Sequence, residues 1–149
     1  MPERAHAIPN RRAIVDRRAL SDRLAALGPD VVTNLARTAA LVAADNAALD
    51  ALAQAAADSA AVADDTGPTG TALDVAALAD LAPAIRTRVL HGWARALGAP
   101  GAALAHRHVD ALDALVTSWH GQGPVALPGG IRVARRNGRL APVGPPSTT

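Results

Sequence analysis

Leu35, Val42 and Leu49 recur every seven residues through an alanine-rich stretch that runs from Asp30 to about Ala57. That spacing keeps apolar side chains on one side of an α-helix, and Val31 and Leu52 fill the adjacent row. A helix of this length is expected to lay its seam against other helices, which makes the chain mainly α. The flanking sequence agrees. In "RRAIVDRRALSDRLAAL", residues 11–27, Ile14, Leu20, Leu24 and Leu27 give a first helix its apolar stripe. Gly28-Pro29 breaks that helix and places Pro29 in the first turn of the next, where its missing N–H costs nothing.

Further along, Asp74 is positioned to cap a short helix over 75–81. Pro83 opens another, running to about Leu97 and ended by Gly98, with Ile85, Val89, Trp93 and Leu97 spaced by four. A last helix is predicted over 103–120, with Leu104, Val109, Leu112, Leu115, Val116 and Trp119 inward. Gly121 then takes the left-handed position after the helix, and His120 sits near its negative end. Residues 57–72, "ADSAAVADDTGPTGTA", are small and acidic and read as a flexible loop.

After Gly121 the pattern changes to short alternating pieces, "PVAL", "IRVARR" and "RLAPV", separated by Pro-Gly-Gly and Asn-Gly. Asn-Gly is a strong two-residue hairpin signal. The expected architecture is therefore a helical bundle of about five helices with a small C-terminal β-hairpin. "PVGPPSTT", residues 142–149, reads as a frayed, disordered tail.

Half of the chain is hydrophobic, so it is expected to fold. Yet alanine dominates, Phe and Tyr are absent, and Trp93 and Trp119 are the only aromatics. Small side chains bury little area each, at about 25 cal/mol per Å² of apolar surface, so modest stability is expected. Cysteine is absent, which excludes disulfides and thiolate metal sites. No apolar run approaches the ~20 residues a membrane helix needs, and "MPERAHAIPNRR" has no apolar signal segment. A cytoplasmic protein is expected.

The net charge is only +2, but it is unevenly placed. Residues 1–23 carry six Arg against three acids, 24–130 five Arg against ten acids, and 131–149 four Arg and no acid. All fifteen basic side chains are Arg, an exclusion of Lys that fits codon bias in a GC-rich genome. Codon bias does not explain why the charge gathers at the ends. Arg offers a planar fork that grips phosphate with two bonds and stacks on bases. Arg132, Arg135, Arg136 and Arg139 lie in or beside the hairpin, and Arg11, Arg12, Arg17 and Arg18 form a second cluster. Backbone phosphates are their natural partner, and RNA is recognised largely through shape and phosphates; an ordinary solvated surface is the alternative. The Asn-Gly turn is expected to hold Arg135 and Arg136 outward, so that removing them leaves the fold intact.

The sequence contains no Gly-x-x-x-x-Gly-Lys-Ser/Thr loop, no Gly-x-Ser-x-Gly elbow and no His-Glu-x-x-His helix. His106 and His108 are two apart, which points them to different helix faces and away from a shared metal. Asp110 and Asp113 read as a solvated acidic face. Trp93 reads as core. Trp119 reads as core too, with stacking of Trp119 and His120 on a base as the alternative.

Three stretches taken in order, "NLARTAALVAADNAALDALA", "LDVAALADLAPAIRTRVLHGWARALGAP" and "HVDALDALVTSWHGQGPVALPGGIRVARRNGRL", resemble the C-terminal helical region of actinobacterial-type tRNA(Ile)-lysidine synthetases. Leu-Ala-Arg-Thr-Ala, Arg-x-Arg-Val-Leu-x-x-Trp, Trp-x-Gly-Gln-Gly and Leu-Pro-Gly-Gly carry the resemblance over about residues 28 to 140. It implies a family that uses ATP to join lysine to the wobble cytidine of an isoleucine tRNA, through a Ser-Gly-Gly-x-Asp-Ser loop that this sequence lacks. The resemblance thus implies a tRNA-contacting part without catalytic residues, metal or cofactor of its own, ATP belonging to a separate catalytic domain or subunit. Its expected layout is a basic linker helix over 1–28, a helical substrate-binding domain over 29–141 and the tail over 142–149. Residues 15–29 resemble the family's linker, although Ser21 replaces the usual Pro and the Arg spacing differs, and from it an RNA-facing role passes to Arg17 and Arg18. The alternative is a non-catalytic helical module that pairs with another protein, or a decayed remnant.

Overall fold

The computed structural model describes residues 11–64 and 71–144, side chains of residues 11–15 excepted. Its elements are α1 (Arg11–Ala26), α2 (Pro29–Ala60), β1 (Ala61–Ala63), β2 (Thr71–Asp74), α3 (Val75–Ala79), α4 (Pro83–Ala96), α5 (His106–Thr117), β3 (Val125–Leu127), β4 (Ile131–Arg136) and β5 (Arg139–Val143). The chain divides into two compact units, Met1–Asp45 and Asn46–Thr149.

In the first unit, the turn between α1 and α2 is built as the sequence implies. Gly28 has φ +102° and Pro29 opens α2. The seam is not. Leu35 and Val42 are about half exposed, as are Leu20, Leu27, Val32 and Leu41. The seven-residue recurrence is real as a helical pattern, but the expectation that it packs on other helices fails for these residues.

In the second unit α2 enters the core through small side chains, Ala53 and Ala60 buried and Ala56 and Ala57 partly so, while Leu52 stays exposed. A buried alanine contributes little more than one methyl, about 0.8 kcal/mol, against ~2 for a leucine. The core proper lies elsewhere. Leu78 of α3, Leu90 of α4, Leu112 and Leu115 of α5, and Leu73, Val133 and Leu140 of the sheet are fully buried. Helices thus pack on one face of a sheet, a two-layer arrangement.

The mainly helical class holds, with five helices among the described residues, and so does the Asn-Gly hairpin. Asn137 (φ 49°) and Gly138 (φ 74°) form the loop between β4 and β5, both left-handed as a type I′ turn requires. The β structure is larger than a hairpin. Five antiparallel strands lie in the order β1-β2-β5-β4-β3. The expected loop over 57–72 is in fact the end of α2 followed by β1 and β2, while 65–70 lie outside the described residues. Short strands of alanine and a single Val or Leu show no alternation of apolar and polar side chains, so periodicity could not reveal them. At the other end β5 runs to Val143, into the stretch expected to fray, and pairing with Arg132 and Val133 holds it there; residues 145–149 lie outside the description.

The local signals at α3 and α4 are met. Asp74 accepts a bond from Ala77 N at 2.9 Å, Pro83 starts α4, and Gly98 follows its C-cap at φ +104°. The tip carbonyl of the hairpin also joins this corner, since Val75 N donates to Gly138 O at 2.9 Å.

Candidate nucleic-acid interface

The motifs that stand out in the sequence prove to be joints of the fold. In Arg-x-Arg-Val-Leu-x-x-Trp, residues 86–93, Val89, Leu90 and Trp93 are core. Arg86 is only 7% exposed; its Nε meets Asp113 Oδ1 at 2.6 Å and its Nη1 donates to Leu81 O at 2.8 Å. Asp113 is therefore no solvated acid but the partner of a buried cation, and the i, i+3 spacing with Asp110 concealed this. Asp110 itself faces the exposed His106 at 3.4 Å. Arg88 reaches back to α2, to Asp50 Oδ1 at 3.1 Å and Asn46 Oδ1 at 2.9 Å. His108 closes the start of α5, its Nδ1 accepting from Ala105 N at 2.9 Å.

A cavity of about 550 Å³ lies between α2 and α4 over Ala53, Ala57, Val89 and Trp93. The polar groups on its rim are largely engaged with one another, Arg88 with Asp50 and Gln54 with Asp58. No group of three or more metal-ligating side chains forms among the described residues, and no helix there is long and apolar enough to cross a membrane.

The end of α5 explains Trp-x-Gly-Gln-Gly. The helix stops at Thr117 with Ser118 as its C-cap, three residues before the predicted end. Gly121 does adopt φ +85°, but in the loop beyond the cap and not directly after it. The last carbonyls of a helix lack intrahelical partners; Ala114 O still accepts from Ser118 N at 3.0 Å, and side chains from later in the chain serve it a second time and serve those beyond it. Gln122 Nε2 donates to Ala114 O at 3.3 Å and Ser118 O at 3.4 Å, while its Oε1 accepts from His120 N at 2.9 Å. Arg135 Nη1 donates to Leu115 O at 2.9 Å and Val116 O at 3.2 Å. A cation at this end also complements the helix dipole. Arg135 lies against Trp119 as well, its guanidinium carbon 5.4 Å from the ring centroid. Trp119 is 40% exposed, so it is a surface residue. The apolar row of α5 predicted it inward, but the helix ends before it and the ring leaves with the loop. Trp93, by contrast, is buried as predicted.

The four hairpin arginines divide by strand alternation. Arg135 pairs with Leu140 and shares its side of the sheet with the buried Val133, the side that packs on α5. The outward aim expected for it is therefore not found. Arg136 pairs with Arg139 beside the Asn-Gly turn, and Arg132 pairs with Val143 on that same opposite side. Arg136 and Arg139 are exposed, Arg132 is partly so. Arg139 Nη1 also reaches Ala63 O at 3.3 Å. No acid follows Asp113 in the sequence, but Asp74 of β2 pairs with Arg139 across the strands and so lies on the same side as these arginines, where its carboxylate also caps α3 through Ala77 N. Arg17 and Arg18 are exposed on α1, in the other unit. Gln122 and the buried Arg86–Asp113 pair escaped the sequence reading, because a side chain's partner on another element leaves no local signal.

Comparison with known proteins bears on this region directly. Residues 73–141 match the family described as the TilS substrate binding domain. The tRNA(Ile)-lysidine synthase of Salinispora arenicola is 58% identical over 134 residues, which are 90% of this chain and 38% of that protein. That of Salinispora tropica is 57% identical over the same shares, and that of Streptomyces coelicolor 47% identical over 77% of this chain and 31% of that protein. The chain thus spans well under half the length of these relatives. Residues 73–141 belong to the TilS substrate binding domain family, and the chain as a whole is similar to the C-terminal region of tRNA(Ile)-lysidine synthases.

Proposed function

We propose that this chain is the tRNA-holding part of a tRNA(Ile)-lysidine synthase, which works with a separate ATP-using catalytic domain or subunit in the cytoplasm. The observation that carries this reading is the sheet side bearing Arg132, Arg136 and Arg139 inside the matched segment, three cations against the single acid Asp74, which is engaged in capping α3. Three guanidinium groups on one side of a rigid hairpin suit the phosphates of a folded RNA. Arg17 and Arg18, exposed on α1, are a second set of candidate contacts. Arg135 acts in this reading by fixing the hairpin to α5, not by touching phosphate. ATP chemistry is assigned to the catalytic part, because no Ser-Gly-Gly-x-Asp-Ser loop occurs in this sequence.

A second reading, a helical module that pairs with another protein, is favoured by the half-exposed Leu35, Leu41 and Val42. The two readings part in one assay, incubation with ATP, labelled lysine and isoleucine tRNA. The chain alone is expected to incorporate no lysine. Added to the separately produced catalytic portion of a relative such as the Salinispora arenicola protein, it is expected to raise incorporation by lowering the KM for tRNA. No effect on that KM contradicts the tRNA-holding role.

A further inference from the structure

Trp119 is a large aromatic ring presented to solvent from a loop that is tied down on both sides. Gln122 binds the loop to the end of α5 through Ala114 O and Ser118 O, and His120 N is held by the Gln122 amide oxygen. Arg135 is fixed by two main-chain carbonyls and stands over the ring at 5.4 Å. The ring is thus backed by a cation on one face and held in place, while 40% of the residue stays accessible. A soluble chain so poor in large apolar side chains would gain by burying one of its two tryptophans; this one is kept at the surface. Arg135 stands over it, His120 is beside it in sequence, and no acid follows Asp113 in the chain. An anionic polymer whose units have flat π faces matches those features, and preorganisation of the ring lowers the entropy lost on binding.

We propose that the face of Trp119 turned away from Arg135 is a stacking site for one unpaired nucleobase of a bound RNA, with Arg135 as the bracket that orients the ring. This rests on the tRNA-holding role proposed above and adds to it a contact with a base where the arginines contact phosphate. Trp119 is then a binding residue, and Arg135 and Gln122 are positioning residues.

The test uses the full chain, an unmodified isoleucine tRNA transcript, and Trp119→Phe and Trp119→Leu variants titrated at several salt concentrations. Loss of one stack is expected to weaken binding by Trp119→Leu about tenfold, with the salt slope and the melting temperature unchanged, because no phosphate contact is lost. Trp119→Phe, which keeps a ring, is expected to stay within about threefold of wild type. Full affinity in Trp119→Leu overturns the stacking site and leaves the tRNA-holding role standing. If Trp119→Leu lowers the melting temperature, the unmodified chain decides. Acrylamide quenches the exposed Trp119 in preference to the buried Trp93, and saturating tRNA is expected to shield it; undiminished quenching overturns the proposal. A wild-type chain that binds no tRNA overturns both readings at once.

Discussion

Arg135 donates from Nη1 to the Leu115 carbonyl at 2.9 Å, and so a residue of the hairpin closes the helix that precedes it. The second bond to Val116 O and the contact with Trp119 make this one joint between sheet and helix. Charge-assisted bonds of this kind are worth about 1.5–3 kcal/mol. Arg135→Ala is expected to destabilise the chain by about 2 kcal/mol. Arg136→Ala, next along the strand and exposed, is expected to change stability by less than about 0.5 kcal/mol. Urea unfolding of the two variants checks this, and equal effects contradict the assignment.

The Arg86–Asp113 pair joins α4 to α5 at 2.6 Å, with the Arg side chain 9% exposed and the Asp 23%. Removing one partner leaves the other charge buried without compensation, at a cost of about 3–5 kcal/mol, whereas exchanging both for apolar residues is often neutral. Arg86→Met and Asp113→Leu are each expected to cost about 3 kcal/mol. Arg86→Met with Asp113→Leu is expected to cost less than either, although Leu81 O then loses its donor. A double-mutant cycle by urea unfolding measures the coupling, and additivity contradicts it.

Two glycines with the same φ of +85° separate backbone cost from crowding. A Cβ at Gly129 would stand 3.1 Å from Pro100 Cδ and 3.4 Å from Gly98 O, whereas one at Gly121 would meet nothing within 4 Å. Gly121→Ala is expected to cost about 1 kcal/mol, the left-handed penalty alone. Gly129→Ala is expected to cost clearly more, because the turn at 98–100 must shift. Thermal melts of both variants test the order.

The parts of this fold that could be read from sequence are those governed by neighbours in the chain. Asp74, Pro83, Gly98 and Asn137-Gly138 act within a few residues, and each does what its local chemistry implies. The buried rows of α4 and α5 follow from spacing in the same way. Failures arose where partners are remote. The α2 seam gives a correct helix, yet burial depends on what stands opposite, and the alanines near its end, not the leucines, meet the core. Arg135 looked like a free cation because the carbonyls it serves lie 20 residues earlier. The candidate interface was legible as charge, in the acid-free run after Asp113, but not as geometry. Strand alternation puts Arg132, Arg136 and Arg139 on one side and leaves Arg135 on the other.

That division gives the central claim its most direct measurement, the salt dependence of tRNA binding by the full chain. Each neutralised phosphate contributes about 0.7–0.9 to the slope of log affinity against log salt. Four equivalent arginines would give roughly −3 to −4, and three on one face give roughly −2 to −3. Because Arg17 and Arg18 add their own share to the wild-type slope, the change on substitution is decisive: Arg136→Ala with Arg139→Ala is expected to reduce the slope by about 1.5 with stability little changed, and Arg135→Ala to leave it unchanged. A slope near zero, or a slope that the paired substitution leaves untouched, contradicts it.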